Sequence, residues 1–463
     1  MNCKNLLFCI VACCTVYTIS TMGSGCAQIG APTGGPRDSI PPKLLNANPP
    51  NGTLNFKGNH ITLTYDEYVQ LQKVQENLLV SPTPKITPNV DYKLRTVTIK
   101  IRDTLEPNTT YRFDLGNSIQ DLNEGNPVKN FSYIFSTGAY LDSLQFSGNV
   151  QLAETGKTDS TLLVFLYKDL DDSAVLKHKP RYTTRVDTSG NFTFHNLPGG
   201  LYNVYALKDE SGQKVYNHDD ELFAFSDSTI KVEGNTRPVK LFAYQQEKPK
   251  PKTSSTATPA SEKKLKYATS LVNGRQDLLT ALTMEFDHKL KNFDSLKIEL
   301  TDTLLNPYKS AIVSIDTTGK KITIANKWTE NSDYRLIVSK DFATDTTGLT
   351  LLKSDTIPFK IKKEGDYGAI TINFKNLEKF KNPVLEFVTN NEVVYSYPLT
   401  SATWTDNLFN PGDYEIRILE DDNKNGVWDP GNYHLKLQPE KVFAIKQKIN
   451  IRANWENDKD IIL

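Results

Sequence analysis

Short segments in which apolar and polar residues alternate recur along the chain from residue 41 onward. Residues 60–65 (HITLTY) and 96–101 (TVTIKI) alternate strictly. Successive side chains of a β-strand point to opposite faces, so this alternation predicts strands with one buried face. Strands that recur at this spacing, with turn residues between them, are typical of β-sandwiches. The pattern therefore predicts an all-β fold.

The second half of the chain repeats the order of segments found in the first half. Residues 283–287 (TMEFD) parallel residues 62–66 (TLTYD), and residues 332–336 (SDYRL) parallel residues 109–113 (TTYRF). A unit of two sandwiches that occurs twice is the simplest account of these parallels, because self-similarity at a fixed spacing is the signature of repeated domains. We therefore predict an internal duplication and four tandem β-sandwich domains.

Two low-complexity stretches divide the chain. Residues 26–40 are rich in Gly and Pro, which predicts a flexible tether, and residues 245–262 form a Pro/Ser/Thr/Lys linker that has too few apolar residues for a core. The predicted sandwiches occupy the four remaining ranges: residues 41–138, 142–244, 263–363 and 366–463.

All five cysteines lie within the first 26 residues. A basic residue, an apolar run from Leu6 to Ile19 and a group of small residues precede Cys26, which is the order of a secretory signal. We predict a lipoprotein signal peptide over residues 1–25 and lipidation of Cys26, which anchors the chain to a membrane through its N-terminal lipid. Cys13 follows a better local cleavage pattern but leaves a short apolar segment. A soluble secreted protein is the other alternative.

The composition excludes some classes of function. Lys plus Arg and Asp plus Glu number 54 each, so no net field favours nucleic acid. The six histidines are scattered without a metal-ligand pair, and neither a GxSxG elbow nor a glycine-rich phosphate loop occurs. These observations predict a protein that is not an enzyme.

One loop carries a candidate metal site. Asp421, Asn423, Asn425 and Asp429 place side-chain oxygens at positions 1, 3, 5 and 9 of a loop with Gly at position 6, which is the first part of a calcium loop. Position 12 is Asn432 and not the usual bidentate Glu. Calcium binding by these four residues is one hypothesis. The other is a hairpin turn in which Asp and Asn accept hydrogen bonds from their own backbone.

Six segments of the first predicted sandwich form a recognisable set: residues 41–42 (PP), 48–52 (NPPNG), 61–67 (ITLTYDE), 107–111 (PNTTY), 121–126 (DLNEGN) and 131–138 (FSYIFSTG). In these segments the first predicted sandwich resembles the bacterial Ig-like domain of S-layer proteins. The whole chain resembles a Bacteroidota lipoprotein family with that domain at its N-terminus. The second and fourth sandwiches are similar to transthyretin-like or carboxypeptidase-regulatory domains.

This resemblance implies a location and an architecture, not a reaction. It implies Ig-like sandwiches that alternate with transthyretin-like ones, in an outer-membrane lipoprotein that faces the periplasm. We expect a structural and interaction module with an envelope protein as partner. The alternative is a glycan-binding lipoprotein that uses exposed aromatic residues on the sandwich loops.

Overall fold

The computed structural model describes residues 37–247 and 264–463. The signal segment, Cys26 and most of the tether therefore lie outside the described residues, as does most of the linker. The chain divides into two compact units, residues 1–141 and residues 142–463. No helix within the described ranges is both long and apolar enough to span a bilayer.

The first sandwich has two main sheets and a two-stranded ribbon. Its core contains Ile61, Leu63 and Phe135, which are fully buried as the alternation predicts. The sheet orders are β1-β2-β6-β5, β4-β7-β9 and β3-β8. Its elements are β1 (Leu44–Asn48), β2 (His60–Tyr65), β3 (Val69–Leu71), helix α1 (Val74–Asn77), β4 (Leu79–Ser81), β5 (Asn89–Lys93), β6 (Thr96–Lys100), β7 (Thr110–Gly116), β8 (Ile119–Asp121) and β9 (Phe131–Ser136).

The second sandwich is built on a different plan. Its elements are β10 (Leu144–Leu152), β11 (Leu163–Tyr167), helix α2 (Ala174–Lys177), β12 (Tyr182–Arg185), β13 (Asn191–Leu197), β14 (Gly200–Leu207), β15 (Phe223–Phe225), β16 (Ile230–Val232) and β17 (Val239–Ala243). One sheet has the order β13-β10-β17, in which β10 and β17 are parallel. The other has the order β12-β11-β14-β15, with β16 also paired to β14.

The third sandwich returns to the plan of the first. Its sheets have the orders β18-β20-β24-β23, β19-β27-β25-β22 and β21-β26. Its strands are β18 (Tyr267–Thr269), β19 (Arg275–Gln276), β20 (Leu282–Phe286), β21 (Leu290–Phe293), β22 (Ile298–Thr301), β23 (Ile312–Ile315), β24 (Lys321–Ala325), β25 (Asp333–Val338), β26 (Ala343–Asp345) and β27 (Asp355–Ile361). Short 3₁₀ turns lie at Ser295–Lys297 and Glu364–Asp366.

The fourth sandwich repeats the plan of the second. Its sheets have the orders β31-β28-β34, with β28 and β34 parallel, and β30-β29-β32-β33. Its strands are β28 (Gly368–Lys375), β29 (Pro383–Thr389), β30 (Glu392–Pro398), β31 (Thr403–Phe409), β32 (Gly412–Glu420), β33 (Lys441–Ile451) and β34 (Glu456–Ile462), with a 3₁₀ turn at Leu377–Lys379.

The strand pairings therefore recur in the two halves. The sheet β1-β2-β6-β5 corresponds strand for strand to β18-β20-β24-β23, and β13-β10-β17 corresponds to β31-β28-β34. In both halves the central strand, β10 or β28, has an antiparallel partner on one side and a parallel partner on the other. Unrelated sandwiches need not share this mixed arrangement. The all-β, tandem-sandwich prediction is confirmed, and the shared strand orders agree with a duplication.

The second and fourth sandwiches contact each other, although the third lies between them in sequence. The Tyr433 hydroxyl donates to the carbonyl of Asp172 at 2.7 Å and lies 3.1 Å from the Tyr205 hydroxyl. At the edge of β33, the Val442 N–H donates to the carbonyl of Ala153 at 3.0 Å. Aromatic packing and a backbone hydrogen bond thus join the two sandwiches, a contact that the order of segments in the sequence did not indicate.

Candidate functional site

The predicted calcium loop follows β32 and is organised by a buried carboxylate. The Asp421 side chain is 2% exposed. Its Oδ1 accepts hydrogen bonds from the backbone N–H groups of Lys424 at 2.6 Å and Asn425 at 3.2 Å, and its Oδ2 accepts one from Gly426 at 2.7 Å. These bonds fold the chain into a tight turn, as both sequence hypotheses require.

The other three predicted ligands lie together in this loop. The side-chain amides of Asn423 and Asn425 both donate to Oδ2 of Asp429, at 2.5 Å and 2.8 Å. Their amide oxygens accept the backbone N–H groups of Asn425 and Val427. Calcium takes oxygen ligands, so binding needs both amides to turn their oxygens inward. In the part of the chain that the structure describes, no group of three or more His, Cys, Asp and Glu side chains is arranged for a metal ion.

A second buried carboxylate, which the sequence analysis missed, holds the loop to β33. Glu440 accepts the backbone N–H groups of Asp422 at 2.8 Å and Asp429 at 3.0 Å. Burial raises the pKa of the Glu440 carboxyl, and the charges of Asp421 and Asp429 raise it further, against the lowering effect of the two backbone donors. No local sequence motif marks Glu440, because it lies eleven residues after Asp429, the last predicted ligand.

A cavity of 710 Å³ lies beside this loop, over the outer face of the fourth sandwich, and its lining combines apolar surface with buried polar side chains, for which it is named the polar cavity. The inner face of β29 contributes Leu385 and Phe387 to the core, so the intervening Glu386 points to the outer face. Arg417 on β32 lies directly opposite Glu386. The cavity is also lined by side chains of the second sandwich and its exit: Glu154, Gln245 and Gln246.

Both members of the Glu386–Arg417 pair are buried, with exposures of 3% and 2%. Among the described residues, Oε2 of Glu386 and both Nε and Nη2 of Arg417 have no hydrogen-bond partner. Burial raises the pKa of Glu386 to about 7; the Arg417 charge lowers it and the Glu154 charge raises it. A carboxyl group with this pKa is both a donor and an acceptor near neutral pH.

The equivalent positions of the second sandwich are apolar. There Phe165 on β11 lies opposite Tyr205 on β14, and both belong to an aromatic cluster that Tyr433 completes. The same place on the same fold therefore carries a covered aromatic pair in one copy and a buried polar pair in the other. A signal for the polar pair was present in the sequence, because Glu386 interrupts the apolar run 384–388 (VLEFV) and Arg417 lies between Ile416 and Ile418.

The comparison with family models identifies the first sandwich. Residues 38–137 match the model described as a bacterial Ig-like domain. This region is an Ig-like domain. The match confirms the resemblance noted for residues 41–138. No match was found among curated proteins.

Several solved multi-domain structures are similar to the chain that carries this Ig-like domain. The major pilin subunit BcpA of Bacillus cereus shares 11% identity over 69% of this chain and 99% of its own, with a TM-score of 0.18. The Bacillus anthracis TIE protein shares 10% identity over 93% and 75%, with a TM-score of 0.18. The N-terminal part of the S-layer protein SbsC shares 14% identity over 44% of each chain, with a TM-score of 0.16. These scores are too low to carry a functional argument.

The four tryptophans differ in their surroundings. Trp328 is buried in the core of the third sandwich, and Trp404 packs on Phe387 in the fourth. Trp428 borders the polar cavity, and its indole N–H donates to the carbonyl of Glu440 at 2.8 Å. Trp455 is 60% exposed, with the Arg452 guanidinium 5.4 Å from its ring. Trp455 is therefore the tryptophan that best fits the predicted exposed aromatic surface.

Residues 218–221 (HDDE) place three acidic side chains next to His218 in a loop that precedes β15. Glu221 accepts the backbone N–H groups of Asn217 at 2.8 Å and His218 at 3.1 Å. This carboxylate thus accepts hydrogen bonds from the backbone of its own loop, as polar side chains in turns do.

Proposed function

We propose that the protein is a lipid-anchored structural and interaction module of the bacterial cell envelope, without enzymatic activity. The observation that carries the proposal is the bacterial Ig-like domain at residues 38–137, in a chain built of tandem sandwiches. The resemblance to a Bacteroidota lipoprotein family and the signal pattern before Cys26 support an outer-membrane anchor that faces the periplasm. The neutral charge balance agrees with the absence of a nucleic-acid role.

The anchor is tested by a Cys26→Ser variant expressed in a Bacteroidota host. We expect the wild-type chain to label with a palmitate analogue and to fractionate with outer membranes, and the variant to do neither. Protease added to intact cells is expected to leave the wild-type domains uncut. Labelling that moves to Cys13, or a wild-type chain found free of the membrane, would contradict the proposed anchor.

Strand β30 is a suitable docking edge for an envelope protein. It pairs with β29 on one side, and Val393 and Val394 are 47% and 45% exposed. Unpaired strand edges accept a further strand from a partner. A photo-crosslinking amino acid at Val394 is expected to capture an outer-membrane protein in cells. The same group at Leu296, which is 85% exposed on the third sandwich, is the control and should capture none.

Glycan binding through exposed aromatic residues is the second candidate function, and the exposure of Trp455 favours it. An indole ring beside a guanidinium offers both a flat apolar face and hydrogen-bond donors. Retention of the wild-type chain on immobilised polysaccharide, lost in a Trp455→Ala variant, is the expected result. Equal retention of both chains, or of neither, would remove this candidate.

A further inference from the structure

The polar cavity of the fourth sandwich has side-chain atoms without partners. Oε2 of Glu386, Nε and Nη2 of Arg417, and Oε1 of Gln246 are buried and make no hydrogen bond within the described residues. All three side chains line the same 710 Å³ cavity. Buried polar groups in folded proteins almost always have partners, because an unsatisfied group loses its hydration without compensation. A group of them around one cavity indicates a ligand.

The chemistry of these atoms indicates what kind of ligand they take. The guanidinium of Arg417 only donates hydrogen bonds, whereas the oxygens of Glu386 and Gln246 accept them. A ligand that satisfies all of them must both donate and accept over a short distance. Hydroxyl groups do both, since each carries one donor and two acceptor lone pairs.

The charges around the cavity favour a neutral ligand. Glu386 and Glu392 line it and oppose an anion, while Arg417 in the same wall opposes a cation. Within residues 37–247 and 264–463, no set of acidic and histidine side chains is arranged for a metal ion. A neutral compound with several hydroxyls makes use of the donors and acceptors without either repulsion.

Trp428 and its neighbours add an apolar surface to the lining of this cavity. Trp428 lines the cavity together with Gly426 and Val427, and its indole N–H bond to Glu440 holds the ring in place. The Ser396 hydroxyl donates to the carbonyl of Gly426 at 2.9 Å, which ties this surface to β30. An indole face packs on apolar C–H surfaces, and pockets of this volume enclose small molecules.

We infer that this cavity is a binding site for a neutral saccharide of one or two sugar units. Glu386, Arg417 and Gln246 bond its hydroxyls, and Trp428 packs on a ring face. This goes beyond the structural role proposed above and does not depend on the lipid anchor. It also uses a different surface from the exposed Trp455.

Calorimetric titration of the full chain in detergent tests the inference. The probes are glucose, galactose, mannose, N-acetylglucosamine and their β-1,4-linked disaccharides, with sodium glucuronate and sodium acetate as anionic comparators. We expect at least one neutral sugar to bind with a dissociation constant of about 1 mM or lower, and the anions to bind more weakly. Arg417→Met, which removes two unpartnered donors, and Trp428→Phe should each weaken binding by roughly tenfold, as loss of one ligand contact does.

A double variant separates a binding role from a structural one. Replacing both members of a buried polar pair by apolar residues often preserves or raises stability. We therefore expect Glu386→Leu/Arg417→Met to melt at or above the wild-type temperature and to bind no sugar. Trp455→Phe is the matched control for Trp428→Phe and should leave the affinity unchanged.

Three outcomes overturn the inference. The first is that no neutral sugar binds at about 10 mM, in which case bound water satisfies the cavity. The second is that only glucuronate or acetate binds. The third is that a sugar binds equally well to the double variant, or that Trp455→Phe abolishes sugar binding. Either result would place the binding site on the loop aromatics. If the double variant does not fold, Arg417→Met alone decides between these outcomes.

Discussion

Single buried carboxylates organise loops in three of the four sandwiches. Asp121, Asp345 and Asp421 are at most 2% exposed. Each accepts two or three backbone N–H groups from the residues that follow it. Burial raises the pKa of Asp121 and Asp345, but the donated hydrogen bonds outweigh it and hold both pKa values below their usual range. An Asp followed by small or amide residues is therefore a turn signal here, whether or not a metal binds.

Calcium binding by the Asp421 loop remains a prediction from the sequence. We expect about 1 mM calcium to raise the melting temperature of the wild-type chain relative to chelator, because calcium loops of extracellular proteins bind in this range. Asp421→Asn should abolish the shift. Asp209→Asn, in the shorter matching loop of the second sandwich, is the control and should retain it. Identical melting in calcium and chelator would refute the prediction.

The Glu386 carboxyl gives stability a defined pH dependence. Burial raises its pKa to about 7 from 4.5, so the folded protein holds this proton more tightly than the unfolded chain. The protonated carboxyl contributes fully to the free energy of unfolding below pH 4.5. This contribution, about 3 kcal/mol, is lost as the pH rises through 7. Glu386→Gln cannot titrate. We expect the stability of wild type relative to this variant to fall between pH 5 and pH 8.

Urea unfolding of both chains at several pH values measures this difference. Arg417→Met provides a second comparison, because removing the positive charge raises the pKa of Glu386 further and shifts the pH window upward. If the difference in unfolding free energy between wild type and Glu386→Gln stays constant from pH 5 to pH 8, Glu386 has an ordinary pKa.

At the scale of elements, close backbone approach joins the second sandwich to β33 of the fourth. Gly156, just after β10, has φ +64°, and a Cβ atom there would lie 2.6 Å from the carbonyl oxygen of Val442 and 2.7 Å from the backbone N of Ala444. Lys157 follows and pairs with Glu415 on β32 at 3.0 Å. Glycine is needed at this position for both its φ and its lack of a side chain.

Gly156→Ala is expected to destabilise the contact between the two sandwiches. Gly212→Ala is the matched control, because Gly212 has φ +73° and no atom within 4 Å of the Cβ position. The control should lose about 1 kcal/mol of unfolding free energy from backbone strain. Gly156→Ala should lose roughly 1–3 kcal/mol more, because its Cβ atom also clashes with the backbone of β33. Denaturant unfolding measures both. Equal losses would mean that the two sandwiches separate freely.

Within residues 142–463, the second and fourth sandwiches are more than independent domains in series. Tyr433 of the fourth sandwich packs among Tyr205, Tyr216, Phe223 and Phe225 of the second, with ring centroids 5.2–6.2 Å apart. Such pairs contribute beyond the area they bury. The second and fourth sandwiches should therefore unfold together.

Tyr433→Ala should uncouple them. We expect a loss of about 3–5 kcal/mol, as for other large aromatic truncations, and a calorimetric transition that splits into two. Leu296→Ala, at an 85% exposed position of the third sandwich, is the control and should leave the transition unchanged. A single unshifted transition in Tyr433→Ala would contradict the coupling.

The local structure of this protein could be predicted from short stretches of its sequence. Alternation in residues such as 60–65 specifies which face of each strand is buried, because the side-chain period of a strand is two. The repeated segments specified two kinds of sandwich, and Asp421 with its Asn neighbours specified a tight loop. These features depend on residues that are close together in the chain.

The contacts of the outer sheet faces, in contrast, could not be predicted without the folded chain. Glu386 and Arg417 lie 31 residues apart, and strand pairing places them side by side. Tyr433 contacts Tyr205 although the whole third sandwich lies between them in the sequence. Outer-face contacts depend on how folded sheets dock, and a polar or aromatic residue that faces solvent has the same local pattern as one that faces another domain. For that reason the polar cavity became apparent only in the folded chain.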